Sequence, residues 1–132
     1  MTKTYETGNL SEAKFAAHLL YLGMVVLMPF GGGCRYDMAV EMGGRLVRVQ
    51  VKTGRLSPDG SLVVFNTTSN NKGYKRKSYH GEVDFLGVYC PATDRCYMVP
   101  VDETGSSEMK LRLAPPKNGQ VLGVKMAADY LI

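Results

Sequence analysis

Tyr36-Asp37-Met38-Ala39-Val40-Glu41-Met42-Gly43-Gly44-Arg45-Leu46-Val47-Arg48-Val49-Gln50-Val51-Lys52-Thr53 reads as two strands joined by a two-residue turn. Gly-Gly suits that turn because both central residues of a type I′ hairpin need positive φ. The second arm alternates, with Val47, Val49 and Val51 on one face and Arg48, Gln50 and Lys52 on the other. Gln50 and Lys52 then stand about 6–7 Å apart on the polar face and can address one small site. Asp37 opens the partner arm. An acid, a carbonyl-type ligand and a lysine on adjacent strands suit metal-assisted phosphodiester hydrolysis. Carboxylate and amide oxygens hold a hard cation such as Mg²⁺, and the lysine orients a water or offsets transition-state charge. Glu41 shares the Asp37 face but lies about 13 Å along the strand, too far to share one ion. The spacing alone is a weak motif, and a solvated strand face would produce it as well.

Around this hairpin the chain reads as one α+β domain over residues 1–132, with a central mixed β-sheet flanked by helices. Residues 10–22 have helical spacing in Phe15, Leu19 and Leu22. Asn9 followed by Glu12 fits a capping box that would start the helix at Asn9. Residues 24–28 suit a buried strand, ended by the loop from Pro29 to Gly33. A turn at 57–60 leads to a strand over 62–68. Residues 84–89 and 96–101 form a second hairpin in which Cys90 and Cys96 face each other. Residues 111–113 are extended, and 124–132 close the chain as a helix.

The 132 residues carry 16 Lys+Arg against 12 Asp+Glu, a net charge of +4. Residues 72–77 (KGYKRK) hold four cations, and without them the chain is balanced at 12 and 12. Lys72, Lys75, Arg76 and Lys77, interleaved by Tyr74 and followed by Tyr79, resemble a nucleic-acid contact in which cations meet phosphates and rings meet bases. A solubilising loop fits that stretch equally well. In that case, Arg35 beside the glycine loop and Arg55 become the candidate DNA contacts. No apolar run approaches the roughly 20 residues of a membrane-spanning helix, and the N-terminus lacks a signal-peptide core. Three cysteines without a Cys-x-x-Cys pair argue against a disulfide framework. A cytoplasmic protein is the expectation. His18 reads as a packed helix residue and His80 as a loop residue.

The segments SEAKFAAHLLYLG, PFGGGCRYDMAVE, RVQVKTGRL, GEVDFLGVYCPATDRCYMVPVDE and LRLAPPKNGQ resemble the group I intron-associated, homing-endonuclease-like branch of the PD-(D/E)XK nucleases. The resemblance runs from about Gly8 to the C-terminus. It implies a restriction-endonuclease-like core and a Mg²⁺-dependent site, with Mn²⁺ as a substitute, that cleaves double-stranded DNA. Asp37 matches the central metal-binding aspartate, Lys52 the lysine and Glu12 the acid of the first helix. Gln50 stands where the superfamily has its second acid, and a neutral amide binds a cation less tightly than a carboxylate. Two other functions share this fold: a non-catalytic DNA-binding module with a decayed site, and a Holliday-junction resolvase. One small domain offers one active site. Cutting both strands therefore needs two copies or two successive nicks, and a homo-oligomer, dimer or tetramer, is expected.

Overall fold

The computed structural model describes residues 4–70 and 76–132, with the side chains of 6–69 and 77–132 among them. It opens with α1 (Thr4–Tyr21), followed by β1 (Val26–Leu27), β2 (Met38–Met42), β3 (Arg45–Thr53), β4 (Arg55–Leu56) and β5 (Leu62–Asn66). Then come β6 (Thr68–Asn70), β7 (Arg76–Ser78), β8 (Phe85–Cys90), β9 (Arg95–Pro100) and β10 (Glu108–Arg112). The central sheet has the order β1-β2-β3-β8-β9. It is mixed because β3 and β8 run parallel while the other neighbours are antiparallel. A second sheet, β10-β5-β4, and the β6–β7 hairpin account for the remaining described strands.

The β2–β3 hairpin forms in the register its sequence implies, from Met42 opposite Arg45 to Met38 opposite Val49. Gly43 and Gly44 have φ of 57° and 81°, as a type I′ turn requires. Val47, Val49 and Val51 are buried with Met38 and Val40 against Phe15 and Leu19 of α1. The opposite face of the sheet packs Leu86, Val88 and Val99 on Val63 and Phe65 of β5 and Leu111 of β10. The sheet is therefore covered by one α-helix on one face and a smaller sheet on the other.

Gly87 of β8 lets α1 approach the sheet. A Cβ there would fall 2.5–2.9 Å from three ring atoms of Phe15, which is fully buried. Gly87→Ala should lower stability by about 1–3 kcal/mol through overpacking, seen as an earlier denaturation midpoint at unchanged slope.

Four expectations change. The helix starts by Thr4, so Asn9 lies inside it and is not its cap. The strand at 24–28 shrinks to β1, which among the described residues is an edge paired with β2 alone, and Leu27 in it and Val25 and Met28 beside it are exposed. Residues 124–132 form a 3₁₀ turn at Ala127–Asp129 instead of a helix. Nine residues are marginal for an isolated helix, and here backbone pairing replaces it. Met126 bridges Arg112, Leu131 bridges Tyr97, and Met98 N–H donates to Tyr130 O. Finally, β8 and β9 pair Cys96 with Tyr89, and the two cysteines enter the cores on opposite faces.

Candidate active site

Parity places Asp37 with the polar face of β3. Met38 lies opposite Val49 and shares its buried face, so the preceding residue turns with Gln50 and Lys52. Asp37 N–H donates to Val49 O at 2.9 Å, and there β2 ends. The next β3 donor on that side, Val51 N–H, has no strand left to meet and donates to Asp37 Oδ2 at 2.9 Å. The end of the hairpin thus fixes the carboxylate's position.

Lys52 lies half-buried beneath the β6–β7 hairpin. Its Nζ donates to Thr68 O at 3.2 Å and to Tyr79 Oη at 3.1 Å, and sits 4.7 Å from the centroid of the Tyr79 ring. Among the described residues these contacts engage two of the three ammonium donors. Glu12 enters from α1. The neighbouring Ser11, buried, shares a 2.6 Å hydrogen bond with Thr53 Oγ1. That bond ties the residue before Glu12 to the residue after Lys52, and so sets the helix against the strand.

The electrostatics join the acids. Burial pushes the Asp37 carboxyl above its ordinary value, against the opposing pull of the Val51 N–H and the Lys52 charge. Burial, and then the negative charge of Asp37, push Glu12 up as well. With Asn9 inside the helix, the capping explanation for Glu12 no longer applies. Gln50 is half-buried on β3 beside Lys52. Among the described residues no group of three or more His, Cys, Asp and Glu side chains gathers to hold a metal. What this corner shows is Asp37 with Glu12 near enough to feel its charge, and Gln50 on the same strand face as Lys52.

The basic candidates scatter. Lys72 and Lys75 lie outside the described residues, and of Arg76 only the backbone, in β7, is described. Lys77 Nζ is 3.5 Å from Glu82 Oε1. Arg35 is engaged within the protein: its guanidinium donates to Ser69 Oγ at 2.7 Å and Ser78 O at 2.9 Å. It also lies 3.2 Å from the Glu82 carboxylate and 4.1 Å from the Tyr79 ring centroid. Arg35 and Lys52 therefore share Tyr79, which couples the glycine loop to the lysine. Arg55 pairs with Glu108 across β5. His18 Nε2 meets the Ile132 backbone oxygen at 2.9 Å, a packed histidine.

Sequence reasoning named Tyr79 only as an aromatic beside the basic stretch and missed its contact with Arg35 and Lys52, and it missed the Ser11–Thr53 link; both join residues far apart in the chain. It also missed a second basic cluster. Lys110, Arg112, Lys117 and Lys125 line a cleft of about 580 Å³ between β10 and the C-terminal segment. The alternation Lys110-Leu111-Arg112 was the available signal for part of it, since Leu111 is fully buried. No described helix is long and apolar enough to cross a membrane.

The family model for the PD-(D/E)XK endonucleases matches residues 2–132. Among solved structures, a bacterial homing endonuclease, I-Ssp6803I, is similar to this chain with a TM-score of 0.77 and 24% identity, over 98% of this chain and 89% of that one. At that identity the likeness speaks for the fold. A search of curated protein sequences finds no significant match. With the family model spanning nearly its whole length, the chain belongs to the PD-(D/E)XK endonuclease family.

Proposed function

We propose that the protein is a metal-dependent endonuclease that hydrolyses phosphodiester bonds in double-stranded DNA, with Asp37, Gln50, Lys52 and Glu12 as its site. The observation that carries this reading is the Asp37 carboxylate, fixed by the Val51 N–H at the end of the β2–β3 hairpin on the strand face of Gln50 and Lys52, with the Lys52 charge acting on it and its own charge acting on Glu12. Both carboxylates are pushed toward protonation, chiefly by burial, and Lys52 pulls only Asp37 back, so a bound cation would offset a cost the fold leaves standing. The donors here are all oxygens, which fits a hard divalent cation, Mg²⁺ or Mn²⁺. Mg²⁺ keeps several waters and binds through one or two carboxylates plus substrate phosphate, so this small donor set suffices. Asp37, Gln50 and Glu12 would hold the ion, which when bound supplies charge to the phosphate and lowers the pKa of a water.

The chain's own residues do the rest. Asp37 stays oriented through Val51, without which its carboxylate would rotate freely. Lys52, held in place by Thr68 and Tyr79, has a third donor, unengaged among the described residues, for a phosphate oxygen or the attacking water. Glu12, adjacent to the Ser11–Thr53 link, has a position set by that bond. The β6–β7 hairpin over Lys52 carries Lys77 and leads in from the basic stretch, which supports this side of the molecule as the DNA-facing one.

Supercoiled plasmid and a four-way junction, each incubated with Mg²⁺ and with EDTA, test the proposal. Nicked or linear plasmid with Mg²⁺ and intact plasmid with EDTA are the expected result. Binding without cutting in any divalent ion would instead favour the non-catalytic module, and cutting confined to the junction would favour a resolvase.

A further inference from the structure

Each nitrogen of the Arg35 guanidinium is turned to an oxygen of the protein. Nη1 donates to Ser69 Oγ in β6, Nη2 donates to Ser78 O in β7, and the buried Nε faces Glu82 Oε2 at 3.2 Å. Ser69 and Ser78 stand on opposite strands of the hairpin, so one side chain clips both. The same group lies over the Tyr79 ring, which is 4% exposed. A single turn presents that ring and the carboxylate, since Glu82 N–H and Val83 N–H both donate to Tyr79 O. Lys77 of β7 also reaches Glu82 and adds a second tie between the hairpin and this turn.

What the clip holds is what Lys52 rests on. Thr68 O, one residue before Ser69, and Tyr79 Oη, one residue after Ser78, accept from the Lys52 ammonium. Strands of three residues each make a hairpin that is marginal without outside support. Arg35 supplies that support from the chain that leads into Asp37.

We infer that Arg35 is a positioning residue for Lys52. Its planar fork holds the β6–β7 hairpin in place, and through Thr68 and Tyr79 it sets where the ammonium points, without itself meeting DNA. The catalytic consequence rests on the nuclease reading; the link from Arg35 to Lys52 belongs to the folded chain alone. Two physical points favour this role over a phosphate contact. To meet a phosphate the guanidinium would have to give up the clip, because its nitrogens are already committed. Glu82 also offsets its charge, which lets the second cation sit 4.7 Å from the same ring centroid.

Arg35→Gln and Arg35→Lys, each checked for folding by circular dichroism, test this on two levels. Without DNA or metal, the Lys52 ammonium is followed by heteronuclear NMR and assigned by its absence in Lys52→Ala. In the parent it should resonate apart from the exposed lysines, because its hydrogen bonds slow proton exchange. Both Arg35 variants should lose that distinct resonance. With DNA, single-turnover cleavage should fall by roughly 10- to 30-fold in both, since a displaced ammonium no longer meets the reacting phosphate. Arg35→Lys keeps the charge without the fork, so it should not rescue. Affinity in EDTA should hold, and the slope of log affinity against log salt should stay unchanged. A lost phosphate contact would flatten that slope by about 0.9. Arg35→Gln added to Lys52→Ala should cost no more than about threefold further, because residues acting as a unit are not additive. A folded variant that keeps the Lys52 resonance, near-parental cutting by Arg35→Lys, a flattened salt slope or the full further loss in the double variant would each overturn the inference. If nothing cuts, the parent included, while the resonance still depends on Arg35, the nuclease reading has failed and the positioning link stands.

Discussion

Asp37→Asn should lose cleavage by ~10³-fold or more and yet melt no lower than the parent at neutral pH. The asparagine side-chain oxygen can still accept the Val51 N–H that the end of β2 leaves over, so the local geometry survives. What disappears is a charge the fold holds at a cost. The carboxyl's folded pKa lies above its ordinary value, so the folded state binds its proton more tightly than the unfolded chain does. The sign follows from linkage. Below the ordinary carboxylate range both states are protonated and the group is neutral to stability. As pH rises toward the raised folded pKa the unfolded state is favoured progressively, and above it the full penalty is present. The variant's advantage in melting temperature should therefore grow with pH across that window and vanish at its acid end. Mg²⁺ should raise the melting temperature of the parent, because a cation bound only by the folded state stabilises it, and should do little for Asp37→Asn. Gln50→Glu is the opposite change: a further carboxylate should lower stability in EDTA and increase the gain on adding Mg²⁺. Thermal melts of the three proteins with and without Mg²⁺, at several pH values, check all of this. A parent that shows no Mg²⁺ response would remove the metal site from this corner.

Lys52→Ala should reduce cleavage by about 10²–10³-fold while leaving DNA affinity close to that of the parent. One ammonium is a small part of a surface that meets many phosphates, but at the reacting phosphate it has no substitute. The change also removes the charge that pulls the Asp37 carboxyl back down, so Asp37 should be protonated to a higher pH. Residual activity should then need a more alkaline medium, and the acid limb of the pH–rate profile should move up. Structural loosening alone would not move that limb, which separates it from the loss of the ties to Thr68 and Tyr79. Tyr79→Phe provides the comparison: it deletes one acceptor for Lys52 and keeps the ring beneath both cations, so it should cost far less. Single-turnover cleavage across pH, with binding measured in EDTA, is the measurement. Near-parental cutting by Lys52→Ala would mean that the lysine serves packing and not chemistry.

Residues 36–53 were legible because everything that shapes them is local. A period-2 valine pattern needs only one buried face to set its register, and Gly43-Gly44 supplies the positive φ that the turn demands. The same alternation puts Gln50 beside Lys52, and Asp37 joins them because it precedes Met38, opposite Val49. Glu12 was harder to read. An asparagine three residues before a glutamate looks like a cap in any sequence window, and only a helix already running from Thr4 shows that it is not. At the C-terminus, residues 124–132 carry apolar spacing compatible with a helix, but their backbone finds partners on β9 and β10.

The alternation of side chains along a strand and the turn between two strands are properties of neighbouring residues, so the amino-acid order alone dictated the hairpin and the shared face of Gln50 and Lys52. Tertiary structure decided the rest: Ser11 bonded to Thr53, Tyr79 beneath both Arg35 and Lys52, four cations gathered around one cleft, and β1 left at the edge of the sheet with exposed apolar side chains around it. Each of these joins residues distant in the chain, or depends on which faces remain uncovered once the sheets have packed. Burial, which raises both acids, likewise exists only when the helix, the hairpin and the two sheets are in place.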